Sequence, residues 1–241
     1  GLGYAVLVAP LAHLVIAWRS EWLLIEEPAA AAAEADAQPV VDPAELAPVA
    51  QDPVRRDAEF RRAVVENRID SALALLAAGA SVQTPADPRD PDQRSVVAIA
   101  ATLPDLRLLR ALILKGADLN ASVAGLTPLL AATRDSYNGR PDAVMTLLTN
   151  GARAQQGDVD GNTPLHGAAL TREATIAAML VDAGADPNAV NREGLTPLGV
   201  AAGAGNEVLV HFLLEHGARP DAPRALPALI AACSGTDDTP A

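Results

Sequence analysis

TPLHGAALTREATIAAMLVDAGADPNAVNREGLTPL, residues 163–198, is the stretch that decides the fold, because it ends on the three residues with which it begins. The second TPL triplet follows the first after 33 residues. Three Gly-Ala pairs are separated by the same interval and start at Gly151, Gly184 and Gly217. Self-similarity at a fixed period of this size predicts a stack of small structural units in place of one continuous core.

Within each unit the order of residues predicts two helices joined by a turn. Thr163 can cap the first helix with its hydroxyl, and Pro164 suits the first helical position, where no N–H donor is needed. Ile176 and Leu180 have the four-residue spacing of one buried helix face. Gly184 then permits the left-handed turn that ends the second helix.

The 33-residue period and the motif TPLHGAA at 163–169 together resemble the ankyrin-repeat family. Related segments stand at 95–101 (SVVAIAA), 125–133 (GLTPLLAAT) and 226–232 (LPALIAA). The resemblance implies an all-α ankyrin-repeat solenoid, in which each repeat has two antiparallel helices and a protruding β-hairpin tip. We therefore expect a repeat domain over residues 58–241, with about five repeats and a partial sixth.

Three of the copies depart from the common pattern. The earliest, at 60–82, keeps little of the motif and is interpreted as an amino-terminal cap, followed by a loop lengthened by the proline-rich stretch 85–91. The copy that starts at Gly125 carries three extra residues between its helices, within 134–141. The last copy stops after one helix, which suggests either a chain cut within a repeat or a natural one-helix cap.

Residues 2–18, LGYAVLVAPLAHLVIAW, form an apolar run near the start of the chain. A spanning helix needs about 20 apolar residues, so the run is slightly short. Trp18 and Trp22 nevertheless stand where an aromatic belt would meet the lipid headgroups. We expect residues 1–25 to form a hydrophobic helix that anchors the protein in a membrane in a single pass. The alternative is a helix packed on the first repeat, and a cleaved signal peptide fits less well because no small-residue cleavage site follows.

Residues 26–57 are rich in alanine, proline and acids, which is typical of an extended linker. No Lys or Arg occurs between Ser20 and Val54, which favours a periplasmic side for the repeats under the positive-inside rule, whereas Arg19 favours the opposite orientation. Lys115 is the only lysine, and this usage, with abundant Ala, Gly and Pro, is typical of high-GC bacterial genomes. We therefore expect a bacterial inner-membrane protein.

Composition narrows the possible functions. The net charge of −12 argues against a nucleic-acid partner. Aromatic residues make up 2% of a chain that is 50% hydrophobic, so the core must consist of aliphatic side chains and alanine, which suits thin, closely packed helices better than sheets. Cys233 is the only cysteine, and this excludes an internal disulfide and a cysteine metal cluster.

The sequence contains no phosphate-binding or nucleophile motif, and its histidines and acids have structural interpretations. His166 is the histidine of the family's TPLH motif, for which the resemblance implies a hydrogen bond to backbone. His211 and His216 are five residues apart and lack the spacing of a zinc helix. Asp158 and Asp160 flank a tip at which the family commonly has aspartate. We therefore expect a protein that is not an enzyme and needs no cofactor or metal ion.

The resemblance places the partner-binding residues on the concave side of the solenoid. The expected tip residues are Val123, Ala124, Val159, Asp160, Asn162, Arg192 and Glu193. The expected residues at the ends of first helices are Arg134, Asp135, Leu170 and Thr171. The insertion adds Tyr137 and Arg140, whose residue types dominate the energies of many interfaces, although the Tyr137 ring could equally pack on the adjacent helix.

Taken together, these features predict a membrane-tethered module that binds a protein partner of unknown identity. Two alternatives remain open. One is a soluble inhibitor or immunity-type protein that blocks a toxin or an enzyme, and the other is the targeting domain of a larger enzyme.

Overall fold

The computed structural model describes residues 52–85, 92–134, 139–171 and 174–220. Within these ranges the chain forms ten helices, which pair into five helix-turn-helix units, so the all-α prediction is confirmed there. The first helices of the pairs are α1 (Pro53–Val65), α3 (Val96–Thr102), α5 (Pro128–Arg134), α7 (Pro164–Ala168) and α9 (Pro197–Gly203). The second helices are α2 (Ile69–Ala77), α4 (Arg107–Leu114), α6 (Pro141–Thr149), α8 (Thr175–Asp182) and α10 (Glu207–Glu215).

Hydroxyl side chains start three of the short first helices. Ser95, Thr127 and Thr196 each accept a hydrogen bond from the backbone N–H three residues later, at 3.1, 3.2 and 3.2 Å. This is the N-cap interaction, which satisfies one of the free N–H groups of the first turn. The first helix of the chain differs, since α1 has 13 residues and is capped by Asp52, whose carboxylate accepts from the Val54 N–H at 3.0 Å.

Every second helix ends in the same way, with leucine, glycine and alanine in fixed positions. In α8 the Ala185 N–H donates to the carbonyl of Leu180 at 2.9 Å, across Gly184, whose φ is 86°. Such a 6→1 bond across a left-handed residue is the Schellman motif, and glycine suits it because it has no Cβ. Equivalent bonds join four further Leu and Ala pairs: Leu75 and Ala80, Leu112 and Ala117, Leu147 and Ala152, and Leu213 and Ala218.

The core lies between two layers of helices. Consecutive first helices pack on one another, and each second helix packs against the first helix of its own unit. Buried alanines on the first helices have no exposed surface: Ala63, Ala100, Ala132, Ala168 and Ala201. Because helix separation depends on the side chains at the contact, single methyl groups let these helices approach closely.

The structure corrects two expectations from the sequence. First, α1 begins at Pro53, so the helical domain starts before residue 58 and includes the end of the expected linker. Second, the tips are tight turns and not β-hairpins with ladders. In the described part of the chain only the isolated pair Val123 and Leu126 has bridge geometry. The tips at 158–162 and 191–195 are closed by backbone hydrogen bonds together with the side chains of Asp158 and Asn191.

Several expectations fall on residues that the structure does not describe. These are the apolar run 2–18, most of the linker 26–57, the partial sixth copy and the insertion residues Asp135 and Tyr137. Of the helices that are described, none combines the length and the apolar character needed to cross a membrane.

Ala168→Leu should destabilise the repeats by about 1–3 kcal/mol, because three extra carbon atoms would be forced into a contact without free space. Denaturant unfolding of the full chain measures the change. Ala74→Leu is the matched control, since Ala74 is exposed on α2 and its free energy of unfolding should change by no more than about 0.5 kcal/mol. Equal midpoints for the two variants would show that the first helices are not in close contact at Ala168.

Candidate protein-binding face

The tip before α5 is a two-residue turn. Val123 and Leu126 exchange backbone hydrogen bonds of 3.2 and 3.0 Å, and the two residues between them, Ala124 and Gly125, have φ of 53° and 76°. Positive φ at both central positions is the requirement of a type I′ turn. The left-handed conformation at Ala124 costs about 1–2 kcal/mol for a residue with a Cβ, so the tip is held in shape by its surroundings.

The tip before α7 is organised by Asp158. One oxygen of its carboxylate accepts the backbone N–H groups of Asp160 and Asn162, at 2.9 and 2.8 Å. The other oxygen lies 2.9 Å from the Arg134 guanidinium, at the end of the preceding first helix. Asp158 therefore joins a tip to a helix end, which are the two parts of the expected binding face.

The tip before α9 repeats this arrangement with an amide. The Asn191 side-chain oxygen accepts the N–H groups of Glu193 and Leu195, at 3.0 and 2.9 Å. Its amide nitrogen donates to the Asn162 side-chain oxygen at 2.7 Å, so this tip is bonded to its neighbour. The backbone adds a bond of 2.8 Å from the Arg192 N–H to the carbonyl of Asp160.

Asp158 is ionised at neutral pH although its carboxylate is almost wholly buried. Burial raises the pKa of this group, but the hydrogen bonds from Asn162 and the charge of Arg134 outweigh burial and leave the pKa below its usual range. A charged carboxylate that accepts several N–H groups is a strong anchor. The pair with Arg134 therefore holds the tip in position over the helix end.

Three apolar side chains of the expected binding face are exposed. Val123, Val159 and Leu170 are 37, 60 and 56% exposed. Neighbouring tips are in contact here, because a Cβ added to Gly125 would lie 2.8 Å from the Val159 Cγ1. The expected face also exposes charged or small residues: Ala124, Arg134, Asp160, Arg192 and Glu193.

Three expected residues have other surroundings. Thr171 is only 2% exposed, and its hydroxyl donates to the Ala168 carbonyl at 2.7 Å, so its side chain contributes no binding surface. Asn162 is half-buried and its side chain belongs to the network between the tips. Arg140 is half-buried beside a cavity between α3 and α6, apart from the network of the tips.

His166 is a structural residue, as its motif predicted. Its Nε2 lies 3.1 Å from the Leu195 carbonyl oxygen, which can only accept, so Nε2 carries the proton and donates. Nδ1 is then the acceptor for the Thr163 N–H at 3.1 Å. Burial is the main cause that lowers the pKa of His166, so the ring is neutral at pH 7 and ties α7 to the next tip.

A set of amide side chains links the repeats and was not among the residues predicted from the sequence. Each lies four residues after the glycine that ends a second helix, and donates to the carbonyl of the corresponding glycine in the next repeat: Asn120 to Gly151 (3.1 Å), Gln155 to Gly184 (2.7 Å) and Asn188 to Gly217 (2.9 Å). Two of them also accept a backbone N–H from that repeat at 2.8 Å. Their constant distance from the glycine was a signal that the sequence contained.

No group of three or more His, Cys, Asp or Glu side chains in the described ranges has the arrangement of a metal site. The His216 ring stacks on Phe212 with 4.0 Å between ring centroids, and its Nδ1 lies 2.7 Å from the Phe212 carbonyl oxygen. The side chain of His211 is exposed beside Glu215. These histidines have ordinary surroundings for a helix surface.

Comparison with known proteins identifies the repeats. A family model described as ankyrin repeats (3 copies) matches residues 97–191, and one described as ankyrin repeat matches 193–224. The chain is 36% identical over 96 residues to an ankyrin repeat-containing protein of Treponema pallidum, covering 39% of this chain and 31% of that protein. It is 38% identical over 117 residues to human ankyrin repeat and SOCS box protein 16, covering 48% and 25%.

A third relative is potassium channel SKOR of Arabidopsis thaliana, which is 41% identical over 75 residues, 31% of this chain and 9% of the channel. The chain thus spans about a third or less of the relatives that it matches. The likeness therefore covers only part of each relative.

Acidification should weaken the fold through His166. Its pKa is lower in the folded chain than the ordinary 6.5, so the unfolded chain binds more protons as the pH falls through 6.5, and the free energy of unfolding decreases. The slope reaches at most about 1.4 kcal/mol per pH unit. Unfolding at pH 7.5 and 5.5, where Asp158 remains ionised, should show a smaller loss for His166→Gln than for the parent chain. A loss of the same size in the parent chain and in His166→Gln would exclude His166 as the cause of the loss.

Proposed function

Because the chain belongs to the ankyrin-repeat family and is thereby a protein-interaction module, we propose that it binds a protein partner on its concave face and acts as a scaffold tethered to a membrane. The binding face consists of the tips at 123–126, 158–162 and 191–195, with the helix ends at Arg134 and Leu170. In this proposal the chain binds its partner and catalyses no reaction, since ankyrin-repeat proteins are generally binding modules and not enzymes.

The observation that carries the binding proposal is a set of exposed apolar side chains on the expected face, together with tips that are closed by hydrogen bonds. Val159 and Leu170 expose more than half of their surface, and the tip that contains Val159 is fixed by Asp158. Protein interfaces combine a desolvated apolar centre with a polar rim, and here Asp160 and the exposed charges of the next tip supply the rim. A surface held in shape before binding loses little conformational entropy when a partner docks.

The tether is proposed from the sequence of the first 25 residues. The apolar run 2–18 and the tryptophans at its end have the pattern of a membrane anchor, and the linker without Lys or Arg supports a periplasmic position for the repeats. The source of the sequence is proposed to be bacterial, and the membrane the inner one. The linker 26–51 would give the repeats reach from the bilayer, because prolines and repelling acids keep such a segment extended.

Val159→Asp should weaken partner binding at least about tenfold, or about 1.4 kcal/mol, because a carboxylate in the apolar centre of the interface would be desolvated without a counter-ion. The partner is first captured on the full chain and identified, and the dissociation constants of the variants are then measured by calorimetry. Thermal unfolding of each variant shows whether the fold is intact.

The matched control is Val208→Asp, since Val208 is 57% exposed on the second helix α10 and belongs to neither the tips nor the first-helix ends. This change should leave the dissociation constant within about twofold. If Val208→Asp weakens binding and Val159→Asp does not, the partner occupies the second helices and the concave assignment is wrong.

Removal of residues 1–51 should release the protein from membranes, because the apolar run supplies the affinity for the bilayer. The shorter chain keeps Asp52, the cap of α1, so the repeats retain their first helix. Fractionation of cells that express either chain measures the difference. Equal recovery of both chains without detergent would contradict the tether, and a lower melting temperature of the shorter chain would instead indicate packing on the first repeat.

A further inference from the structure

A cavity of about 150 Å³ opens between the second and third repeats. One wall is the turn between α3 and α4, with Leu103, Pro104 and Leu106. The other wall is the start of α6, with Arg140, Pro141 and Asp142. The cavity therefore combines aliphatic surface with one cationic and one anionic side chain.

Arg140 stands beside this cavity without an acceptor. Its Nε atom is buried and has no hydrogen-bond partner, and no hydrogen bond or ion pair to its guanidinium occurs in the described part of the chain. The buried Arg61, by contrast, has its guanidinium bonded to the Arg94 carbonyl at 2.9 Å. The two Nη groups of the Arg140 guanidinium are not closed off from solvent, so they are the N–H donors that a carboxylate entering the cavity can reach.

The backbone fixes Arg140 in this position. Its N–H donates to the Ala132 carbonyl at 3.0 Å, and its own carbonyl accepts from the Val144 N–H at 2.9 Å. The preceding Gly139 packs against the Ile176 side chain of the next repeat, where a Cβ would not fit. Arg140 is thus held from both sides by contacts that do not involve its side chain.

We propose that the cavity between α3 and α6 is a socket for an acidic side chain of the protein partner, with Arg140 as the cation that receives its carboxylate. The guanidinium offers N–H groups in a planar arrangement that matches a carboxylate. Leu103, Pro104 and Leu106 provide an apolar wall for the methylene groups of a glutamate or aspartate. The start of α6 adds the positive end of a helix dipole next to the arginine.

Asp142 at the rim opposes this charge, and the opposition provides a test. Its exposed carboxylate shares the cavity lining, so it reduces the affinity for an incoming acid. Removal of the Asp142 charge should therefore strengthen binding, a gain of function that damage to the fold cannot imitate.

The socket rests on the protein-binding function proposed above, and adds one feature of the partner: an acidic side chain that reaches the turns between helices. A test with a small probe does not need the partner. If the socket fails while Val159→Asp still weakens partner binding, the concave face remains and only the socket is lost.

The probe is N-acetyl-glutamate N-methylamide, and the reference is the glutamine analogue, which has the same shape without the charge. Each is titrated into the full ¹⁵N-labelled chain in one non-ionic detergent, and the Nε–H resonance of Arg140 is followed by NMR. We expect a saturable shift with a dissociation constant on the order of 10 mM for glutamate, and none for glutamine.

Three variants complete the experiment. Arg140→Lys should weaken probe binding about tenfold or more, because the ammonium lacks the planar fork, and Leu106→Trp should abolish it by filling the cavity. Asp142→Asn should bind the probe at least about twofold more tightly. For variants without the Arg140 resonance, the backbone amides of Leu106 and Ala143 report binding. An absent shift, an equal shift with glutamine or an unchanged affinity in Asp142→Asn would overturn the proposal.

Discussion

The left-handed glycine that ends each second helix is the constraint on which the other contacts depend. At Gly184 the chain reverses, and the bond from Ala185 to the Leu180 carbonyl closes the helix with both side chains buried. The reversal sets the direction in which the chain leaves, and four residues later it places an amide against the next glycine carbonyl, as Asn188 does. One backbone conformation thus ends a helix, starts a loop and bonds two repeats together.

The tips are held in shape by this loop and by the side chains that close them with hydrogen bonds. Asp158 and Asn191 hold corresponding positions in successive repeats, and each accepts two N–H groups of its own tip. The bond between Asn191 and Asn162 then connects the tips to each other. The polar side chains of the tips therefore bond to one another and to the backbone, whereas the apolar side chains of Val159 and Leu170 are exposed. This division between a polar frame and an apolar surface is what a preformed binding site requires.

The repeat frame could be predicted from the sequence because its signals recur. The TPL triplets, the alanines of the first helices and the Gly-Ala pairs each have one dominant physical cause, a cap, a close contact or a left-handed turn. The exposure of single residues could not be predicted in this way. Thr171 stands at a first-helix end, yet it is buried, and the Asn206 side chain donates to its carbonyl at 2.6 Å. Such a contact joins residues 35 positions apart, and no local pattern encodes it.

A stacked architecture also explains how the third repeat tolerates three added residues. In a solenoid each repeat contacts only its neighbours, so a local departure is not transmitted through one shared core. The three added residues of this repeat are followed by Gly139 against Ile176, and the buried contacts of α6 through Val144 and Leu147 are kept. The cost of the unsatisfied Arg140 N–H therefore stays within one pair of repeats. An array of this kind can tolerate an unfavourable group in one repeat, while the remaining repeats supply the stability.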